Sequence, residues 1–289
     1  MAPVRIGIMA NLQKKGVRDL IKKTCSWLSG KGINVVVNSE MPPELANGTI
    51  CRSLEEMVGL INCLLVFGGD GTILNSARMV ASSGVPILGI NLGHLGFLSE
   101  IDIPEINEGL DEIIRGEYEI EERMMIETAV IRDGMVMDKA LGLNDAVITK
   151  GAFARLITLR VTVNGEYVGT YPADGIIVAT PTGSTAYSLS AGGPVVTPDL
   201  DLMLITPICP HTLWTRPMVI SSGCIVEVEP LSQRGEIMLT IDGQHGLTLV
   251  RGDIVKITGS PLKVKFIRLK KRSFFDVLKQ KLREEERPW

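Results

Sequence analysis

The chain has 289 residues, of which 45% are hydrophobic, and its 30 basic and 33 acidic residues give a formal net charge of −3. This composition argues against a disordered chain, and the near balance of charge argues against a protein that binds nucleic acid through a basic surface. No apolar run approaches the roughly 20 residues that a membrane-spanning helix needs.

The cysteines and the N-terminus indicate a cytoplasmic protein. The cysteine count is odd, and no pair has CxxC spacing, which argues against a disulfide framework or a thiolate zinc site. Reduced, structural cysteines are the simplest interpretation. The first ten residues lead directly into a strand-like run and do not resemble a signal peptide. The five cysteines are Cys25, Cys51, Cys63, Cys209 and Cys224.

The first third of the chain alternates short apolar runs with helical periodicity. Strand-like runs are predicted at residues 4–10, 33–37, 64–67 and 85–90. Between and after them, helices are predicted at residues 17–30, at 53–60 behind a capping box of Ser53 and Glu56, from Ile73 onward, and at 106–115. Strands that alternate with helices indicate a parallel sheet covered on both faces.

The pattern changes near Glu121, after which strand-like segments dominate. Asp-Gly at 133–134, Asn-Gly at 164–165 and Asp-Gly at 242–243 each predict a hairpin with a type I′ turn. Strand character continues at residues 253–258 and 262–267, and helical periodicity returns at 274–287.

We therefore predict an α/β N-terminal domain with a Rossmann-like parallel sheet and an all-β C-terminal domain. A C-terminal helix is predicted to pack back on the first domain. The predicted bounds are residues 1–121, 122–268 and 269–289.

A glycine-rich loop lies at residues 68–72, where Gly-Gly-Asp-Gly-Thr follows a buried strand and precedes a helix. Ligands bind beyond the carboxyl ends of parallel strands, and glycines there let backbone N–H groups approach phosphate oxygens. The loop is not a Walker A loop, because no Gly-Lys-Thr/Ser follows. A carboxylate repels phosphate, so the presence of Asp70 in the loop indicates a chemical role. That role is either to accept a proton from a hydroxyl or to hold Mg²⁺ through water. The alternative is a tight turn in which Asp70 caps the helix.

Residues 180–194 form a second candidate binding segment, rich in hydroxyls, small residues and glycine, with Tyr187 as its one aromatic residue. Small residues admit a flat ring, and Tyr187 can stack on a base or ribose. The alternative is an ordinary polar loop with one aromatic anchor. The pair Asn144-Asp145 suits the vicinal hydroxyls of a ribose, although a turn is the simpler explanation of that pair alone.

Together these motifs resemble those of the NAD kinase family, in order and spacing, over nearly the whole chain. Residues 68–72 look like the family's GGDG loop, and 144–145 look like its Asn-Glu pair. Residues 174–175, followed by 180–194, look like its long hydroxyl- and glycine-rich segment, and 242–244 resemble its late DGQ element. Phosphofructokinases and diacylglycerol-type lipid kinases have loops similar to the first motif. The resemblance therefore rests on the combination of all these motifs and not on the first one alone.

The resemblance implies a role for each matching residue. Asp70 is the general base at the adenosine 2′-hydroxyl of NAD, and Asn144 and Asp145 hold the ribose. The phosphate loop consists of Gly68, Gly69 and Thr72, and Gly71 lines the NAD site beside Asp70. The further NAD contacts are made by Arg155, Asp174, Thr185, Ala186, Tyr187, Ser188, Leu189, Ser190 and Gln244.

The implied reaction transfers a phosphoryl group from ATP, or another donor such as polyphosphate, to the 2′-hydroxyl of NAD and gives NADP. The resemblance places NAD in the cleft between the domains and implies a homodimer or homotetramer. Mg²⁺ or another divalent metal is expected with the donor, and the sequence identifies no protein ligands for it. Neither a nucleic acid nor a membrane is expected as a partner.

Two positions depart from the family's pattern. Asp145 stands where the family more often has Glu, and it is one methylene shorter. Pro172 stands where some relatives have Arg, which leaves the choice between NAD and NADH open. The rival functions are a lipid kinase or a sugar kinase that uses the same loop, and a non-catalytic dinucleotide sensor.

Overall fold

The structure is a computed structural model, and it describes residues 5–45, 48–51, 53–93, 96–151, 156–212, 214–232, 235–269 and 272–285. The chain divides into two compact units. The first, which we call the α/β unit, consists of Met1–Glu122 together with Val264–Trp289. The second, the β unit, consists of Arg123–Lys263. The C-terminal segment thus belongs to the same unit as the N-terminus.

The α/β unit is built on a parallel sheet. Its elements in chain order are β1 (Arg5–Ala10), α1 (Val17–Gly30), β2 (Asn34–Asn38), β3 (Thr49–Cys51), α2 (Leu54–Val58), β4 (Cys63–Gly68), α3 (Asp70–Val80), β5 (Ile87–Asn91), β6 (Ile101–Asp102) and α4 (Ile106–Arg115). The strand order is β3-β2-β1-β4-β5, every pairing is parallel, and β6 adds to β5. This confirms the predicted Rossmann-like sheet.

Local chemistry explains the helix boundaries of this unit. The Ser53 hydroxyl accepts the Glu56 N–H at 3.2 Å and caps α2, as the capping-box spacing predicts. The prediction that α3 begins near Ile73 is wrong, because the helix begins at Asp70. Gly69 is extended at the N-cap, and its carbonyl accepts the N–H groups of Thr72 and Ile73 at 2.9 and 3.2 Å. Three of the five residues of the glycine-rich loop therefore belong to the first turn of a helix.

The C-terminal segment is anchored in the α/β unit by a buried charge. The Glu100 carboxylate, only 3% exposed, accepts the Leu269 N–H at 2.8 Å and pairs with Arg268 at 2.9 Å. The last helix, α6 (Phe274–Glu285), places the Phe274 ring 6.0 Å from the ring of Phe97. The end of the chain thus packs against the segment that follows β5.

The β unit contains two antiparallel sheets. Its elements are the strands β7 (Glu119–Arg132), which begins in the α/β unit, β8 (Met135–Gly142), β9 (Asp145–Lys150), β10 (Ile157–Val163), β11 (Glu166–Ala173), β12 (Gly175–Ala179), β13 (Leu202–Ile208), β14 (Met218–Ser221), β15 (Ile225–Pro230), β16 (Ile237–Ile241), β17 (His245–Leu249) and β18 (Ile254–Arg268), with the short helix α5 (Tyr187–Ser190) between β12 and β13. One sheet has the order β14-β13-β12-β9-β16-β17. The other contains β11-β10-β15-β18 with the β7–β8 hairpin beside β18. A single cluster of buried aliphatic side chains draws on both sheets.

All three predicted hairpin turns are confirmed. Both central residues have positive φ in each turn, with values of 50° and 77° at 133–134, 54° and 80° at 164–165, and 50° and 64° at 242–243. Type I′ geometry requires positive φ at both positions. These turns connect β7 to β8, β10 to β11, and β16 to β17.

The two strands predicted at residues 253–258 and 262–267 are one continuous strand, β18. Gly259 and Pro261 weaken the strand pattern between them, but the backbone stays extended through both residues. The last residues of β18 lie in the α/β unit, where Phe266 pairs in parallel with Ile87 of β5. Among the helices that the structure describes, none is long and apolar enough to cross a membrane.

Candidate functional site

The phosphate loop lies at the carboxyl end of β4. A Cβ on Gly68 would lie 2.4 Å from the Thr72 hydroxyl, so the turn accepts only glycine there. A Cβ on Gly69 would meet nothing within 4 Å, so that side of the loop is open. Because α3 begins at Asp70, the N–H groups of its first turn and the positive end of the helix dipole lie at this loop. The loop is therefore suited to bind an anion such as a phosphate.

Asp70 bonds to a distant loop instead of capping its own helix. Its Oδ2 accepts the Phe97 N–H at 2.9 Å, and its Oδ1 accepts the Leu98 N–H at 3.2 Å. A Cβ on Gly96 would come within 1.9 Å of Oδ1, so this contact depends on glycine at position 96. Each carboxylate oxygen has a second lone pair, so the group can still accept a hydrogen bond from a bound hydroxyl.

In the β unit, one carboxylate holds the turn that leads into β9. Asp242 is 8% exposed, and its Oδ2 accepts the Leu143 N–H at 3.0 Å. Its Oδ1 accepts the N–H groups of Asn144 and Asp145 at 2.7 and 3.1 Å. In return, the Asp242 N–H donates to the Asp145 carbonyl at 3.0 Å. The late hairpin therefore fixes the backbone of the Asn144-Asp145 pair.

The start of the 180–194 segment packs on the same turn. The Thr180 hydroxyl donates to the Leu143 carbonyl at 2.5 Å, and the Thr180 N–H donates to the Asn144 carbonyl at 2.8 Å. A Cβ on Gly183 would lie 2.1 Å from the Asn144 carbonyl oxygen, so glycine is needed for the close approach. Three motifs that are far apart in sequence thus meet within the β unit.

Asp145 is a buried carboxylate at this meeting point. The residue is only 4% exposed. Within the described part of the chain, no group donates a hydrogen bond to its carboxylate. Burial, and to a smaller extent the Asp242 carboxylate, raises the pKa of Asp145 from its ordinary value of 3.8 to about 7. Such a group favours a ligand that brings hydrogen-bond donors to it.

Residues 185–190 present a mixed surface beside this turn. A 3-10 helix, Thr182–Thr185, leads into α5. Tyr187 is 45% exposed, so its ring is available for stacking. Ser188 is fully buried, and its hydroxyl is hydrogen-bonded to Thr206 at 3.0 Å. Its hydroxyl therefore holds α5 in place and does not lie on the accessible surface. Of the others, Thr185, Ala186 and Leu189 are partly exposed and Ser190 is exposed.

The remaining predicted residues lie elsewhere in the β unit. Asp174, directly before β12, pairs with Lys150 at 2.7 Å, and both side chains are about one-third exposed, at 35% and 30%. Gln244 is exposed in the turn between β16 and β17. Arg155 lies outside the described residues.

Sequence reasoning missed two residues of this arrangement. Asp242 entered as a hairpin residue and as part of the DGQ element, with no contact assigned to it, although the structure makes it the acceptor for three backbone N–H groups. Lys150 was not considered, and nothing in its local sequence marks it as the partner of Asp174. The signal for Asp242 was present, since a carboxylate at the first position of a tight turn is available to bind backbone donors.

Within the described residues, no group of three or more His, Cys, Asp or Glu side chains is placed to hold a metal ion. All five cysteines are free. Burial raises the pKa of the Cys25 thiol to about 11 and that of Cys63 to about 12, so neither is a reactive thiolate near neutral pH.

Comparison with known proteins agrees with these motifs. Residues 6–118 match the model of the ATP-NAD kinase N-terminal domain, and residues 143–269 match that of the ATP-NAD kinase C-terminal domain. The chain is 50% identical to an NAD kinase of Desulforamulus reducens over 279 residues, which cover 96% of this chain and 97% of that protein. The chain belongs to the NAD kinase family. A second family member, from Moorella thermoacetica, is 46% identical over 97% of this chain and 89% of its own length.

Solved structures of the NAD kinase family share the fold. A crystal structure of an NAD kinase from Archaeoglobus fulgidus in complex with ATP aligns with a TM-score of 0.76 at 26% identity, covering 97% of this chain and 99% of that one. Yeast NADH kinase complexed with NADH aligns with a TM-score of 0.89, covering 100% of this chain and 90% of that one. At 24% identity, the second comparison concerns the fold alone.

Proposed function

We propose that this chain phosphorylates the 2′-hydroxyl of the adenosine ribose of NAD and uses ATP as the donor. One observation carries the proposal beyond family membership. The β unit holds the buried Asp145 carboxylate, without a donor among the described residues, at the point where the three motifs meet. A ribose supplies hydroxyl donors that such a carboxylate lacks.

The residues of the β unit hold the acceptor in this proposal. Asp145 accepts a hydrogen bond from a ribose hydroxyl, and the Asn144 amide donates to the other. Tyr187 stacks on the adenosine, and Thr185, Ala186, Leu189 and Ser190 line the same surface. Ser188 supports that surface through Thr206. Asp174, Gln244 and Arg155 contact the rest of the dinucleotide.

The phosphoryl transfer uses the residues of the phosphate loop. The 2′-oxygen forms a bond to the γ-phosphorus of the donor while the bond to the β-phosphate oxygen breaks, which gives NADP and ADP. The hydroxyl proton passes to the free lone pair of Asp70. The first turn of α3, with Gly68, Gly69, Gly71 and Thr72, stabilises the charge on the phosphates through backbone N–H groups and the helix dipole.

A divalent metal such as Mg²⁺, bound with the donor phosphates, would neutralise the charge that develops on them. Mg²⁺ prefers oxygen ligands and keeps several of its waters, so a single loop carboxylate is a sufficient protein contact. Asp70 is the carboxylate of the loop, and it fits such a contact through water.

Replacement of Gly96 tests whether the position of the Asp70 carboxylate matters for the reaction. We expect Gly96→Ala to lower kcat by about 10²-fold, because the new methyl group displaces the Asp70 carboxylate. Gly93→Ala is the matched control in the same loop, since a Cβ there meets nothing within 4 Å. Equal kcat values for the two variants would show that the position of the carboxylate is unimportant.

The reaction itself is tested by a coupled assay. Purified protein is mixed with NAD, ATP and Mg²⁺, and NADP is measured with an NADP-specific dehydrogenase. NADP formation that depends on the protein supports the proposal. Binding of NAD without NADP formation from any donor would favour a dinucleotide sensor, and absence of NAD binding would reopen the lipid and sugar kinase functions.

We also propose that the protein is a cytoplasmic homodimer or homotetramer, as the resemblance to the family implies. Light scattering coupled to size-exclusion chromatography measures the oligomeric state directly. A mass of 31.4 kDa, that of a single chain, would contradict it.

A further inference from the structure

The backbone that holds the Asp70 carboxylate lies in the segment between β5 and β6. The N–H groups of Phe97 and Leu98 donate to its two oxygens at 2.9 and 3.2 Å. Directly before them, the Gly96 N–H donates to the hydroxyl of the buried Ser99 at 3.3 Å. The position of the carboxylate therefore depends on how firmly the rest of the unit holds this segment.

A buried amide fixes the start of the same segment. Asn91, the last residue of β5, is 4% exposed. Its Oδ1 accepts the Gly93 N–H at 3.0 Å, and its Nδ2 donates to the Gly93 carbonyl at 2.9 Å. The same Nδ2 donates to Oδ1 of Asp102 at 2.8 Å. Because a carboxylate only accepts hydrogen bonds, Asp102 sets which way the Asn91 amide faces.

The C-terminal segment of the chain holds Asp102. The Arg272 guanidinium donates to Oδ2 of Asp102 at 2.6 Å and to a Glu105 carboxylate oxygen at 3.3 Å. Burial raises the pKa of the Asp102 carboxyl, but hydrogen bonds from Arg272 and Asn91 outweigh burial and hold the pKa below its ordinary value of 3.8. Asp102 is therefore charged near neutral pH, and it connects a C-terminal cation to the Asn91 amide.

The C-terminal segment also contacts the other end of the loop. The Phe274 ring packs against the Phe97 ring at 6.0 Å between centroids, with the planes tilted by 41°. Phe97 is one of the two residues whose N–H groups donate to Asp70. All of these residues belong to the α/β unit. Two chains of contacts thus lead from the C-terminal segment to the Asp70 carboxylate, one from Arg272 and one from Phe274.

We propose that Arg272 and Phe274 are positioning residues for the phosphoryl transfer. They fix both ends of the loop that holds the Asp70 carboxylate, and they act through Asn91 and Phe97 and not on the substrate. The inference rests on the proposed function, because it concerns the base of the same reaction. A misplacement of about 1 Å can cost about 10²-fold in rate, so small shifts of this loop matter.

The first test is the kcat of Arg272 variants. Arg272→Met removes the donor to Asp102, and we expect it to lower kcat about tenfold while KM for NAD stays within about twofold, because the residues that hold NAD in our proposal lie in the β unit. Arg272→Lys keeps a charged donor and is expected to retain kcat within about threefold of wild type. Arg283→Met is the matched control, since Arg283 is exposed in the last turn of α6.

The second contact is tested in the same way. We expect Phe274→Ala to lower kcat about tenfold, with the same small effect on KM for NAD, because the Phe97 ring loses the ring against which it packs. Leu282→Ala is the control, since Leu282 lies on the same helix and is 44% exposed.

A double-mutant cycle separates positioning from a general disturbance of the fold. The Asp70→Asn variant has no base to misplace, so we expect Arg272→Met to cause no further loss of kcat in that background. Losses that multiply in the double variant would overturn the inference. A kcat within twofold of wild type in both Arg272→Met and Phe274→Ala would overturn it too, as would an increase in KM for NAD alone.

If the wild type makes no NADP, the proposed function fails separately, and amide hydrogen exchange then decides the inference. The N–H groups of Phe97 and Leu98 are protected by their bonds to Asp70. Exchange of these two groups about tenfold faster in Arg272→Met than in Arg283→Met would support the positioning role. Equal exchange in the two variants would overturn it.

Discussion

We expect Asp70→Asn to lower kcat for NADP formation by about 10²–10⁴-fold, the usual contribution of a general base. An amide has no basic lone pair at its nitrogen, so the variant cannot take the proton of the 2′-hydroxyl. The coupled assay gives kcat, and calorimetric titration gives the affinity for NAD. We expect NAD to bind with nearly wild-type affinity, because the residues that hold the acceptor in our proposal lie in the β unit.

The contacts of Asp70 make a structural control necessary. Both carboxylate oxygens accept backbone N–H groups, from Phe97 and Leu98, and the amide nitrogen of an asparagine must face one of these donors. Thermal unfolding of the variant shows whether this loop is disturbed. A loss of kcat at unchanged melting temperature identifies the loss of the base. Activity within about tenfold of wild type would rule out the proton-accepting role, since a base contributes more than that.

We expect Asp145→Asn to stabilise the fold and to weaken the binding of NAD. In the folded chain the carboxyl group holds its proton up to about pH 7, whereas an unfolded chain releases it near 3.8. Between pH 3.8 and about 7, the native state binds more protons than the unfolded state. The free energy of unfolding of the wild type therefore falls as pH rises through this range. At about 1.4 kcal/mol for each unit of pKa, the full loss is about 4 kcal/mol. The asparagine variant carries no charge at this position, so its free energy of unfolding does not decrease in this way.

Urea unfolding at about pH 5 and about pH 8 measures this effect. We expect the variant to exceed the wild type in stability at the higher pH by more than at the lower pH. Asp201→Asn is the control, because Asp201 is exposed and its ion pair with Lys263 at 3.4 Å is a surface contact of little energy. A difference between Asp145→Asn and wild type that is independent of pH would show that the carboxylate is not the cause.

The same variant tests the ribose contact. Above about pH 7, where Asp145 is ionised, a hydrogen bond to this charged acceptor contributes about 1.5–3 kcal/mol, so its loss should weaken NAD binding roughly 10- to 100-fold. Stability gained together with affinity lost is the result expected of a group whose burial is costly until the ligand binds. Unchanged affinity for NAD would remove Asp145 from the acceptor site.

The motifs of the candidate site could be predicted from the sequence, but their contacts could not. The loop at 68–72, the pair at 144–145 and the segment at 180–194 stand out locally because glycines, amides and hydroxyls cluster there. The bonds of Asp242 to the N–H groups of residues 143–145 join positions nearly 100 apart. Likewise, nothing near Asp70 in the sequence indicates that it bonds to Phe97 and Leu98.

The sequence by itself determined the local turns and the order of strands and helices in this protein. The Asp-Gly and Asn-Gly turns set the hairpins, because few other residues accept positive φ, and the alternation of strands and helices set the parallel sheet. Only the tertiary structure decided that β18 runs unbroken through Gly259 and Pro261, that Ser188 is buried, and that no residue in the described part of the chain donates a hydrogen bond to the Asp145 carboxylate. The physical reason is that turns and caps are bonds between residues a few positions apart, whereas burial and satisfaction of a polar group depend on every segment that packs around it.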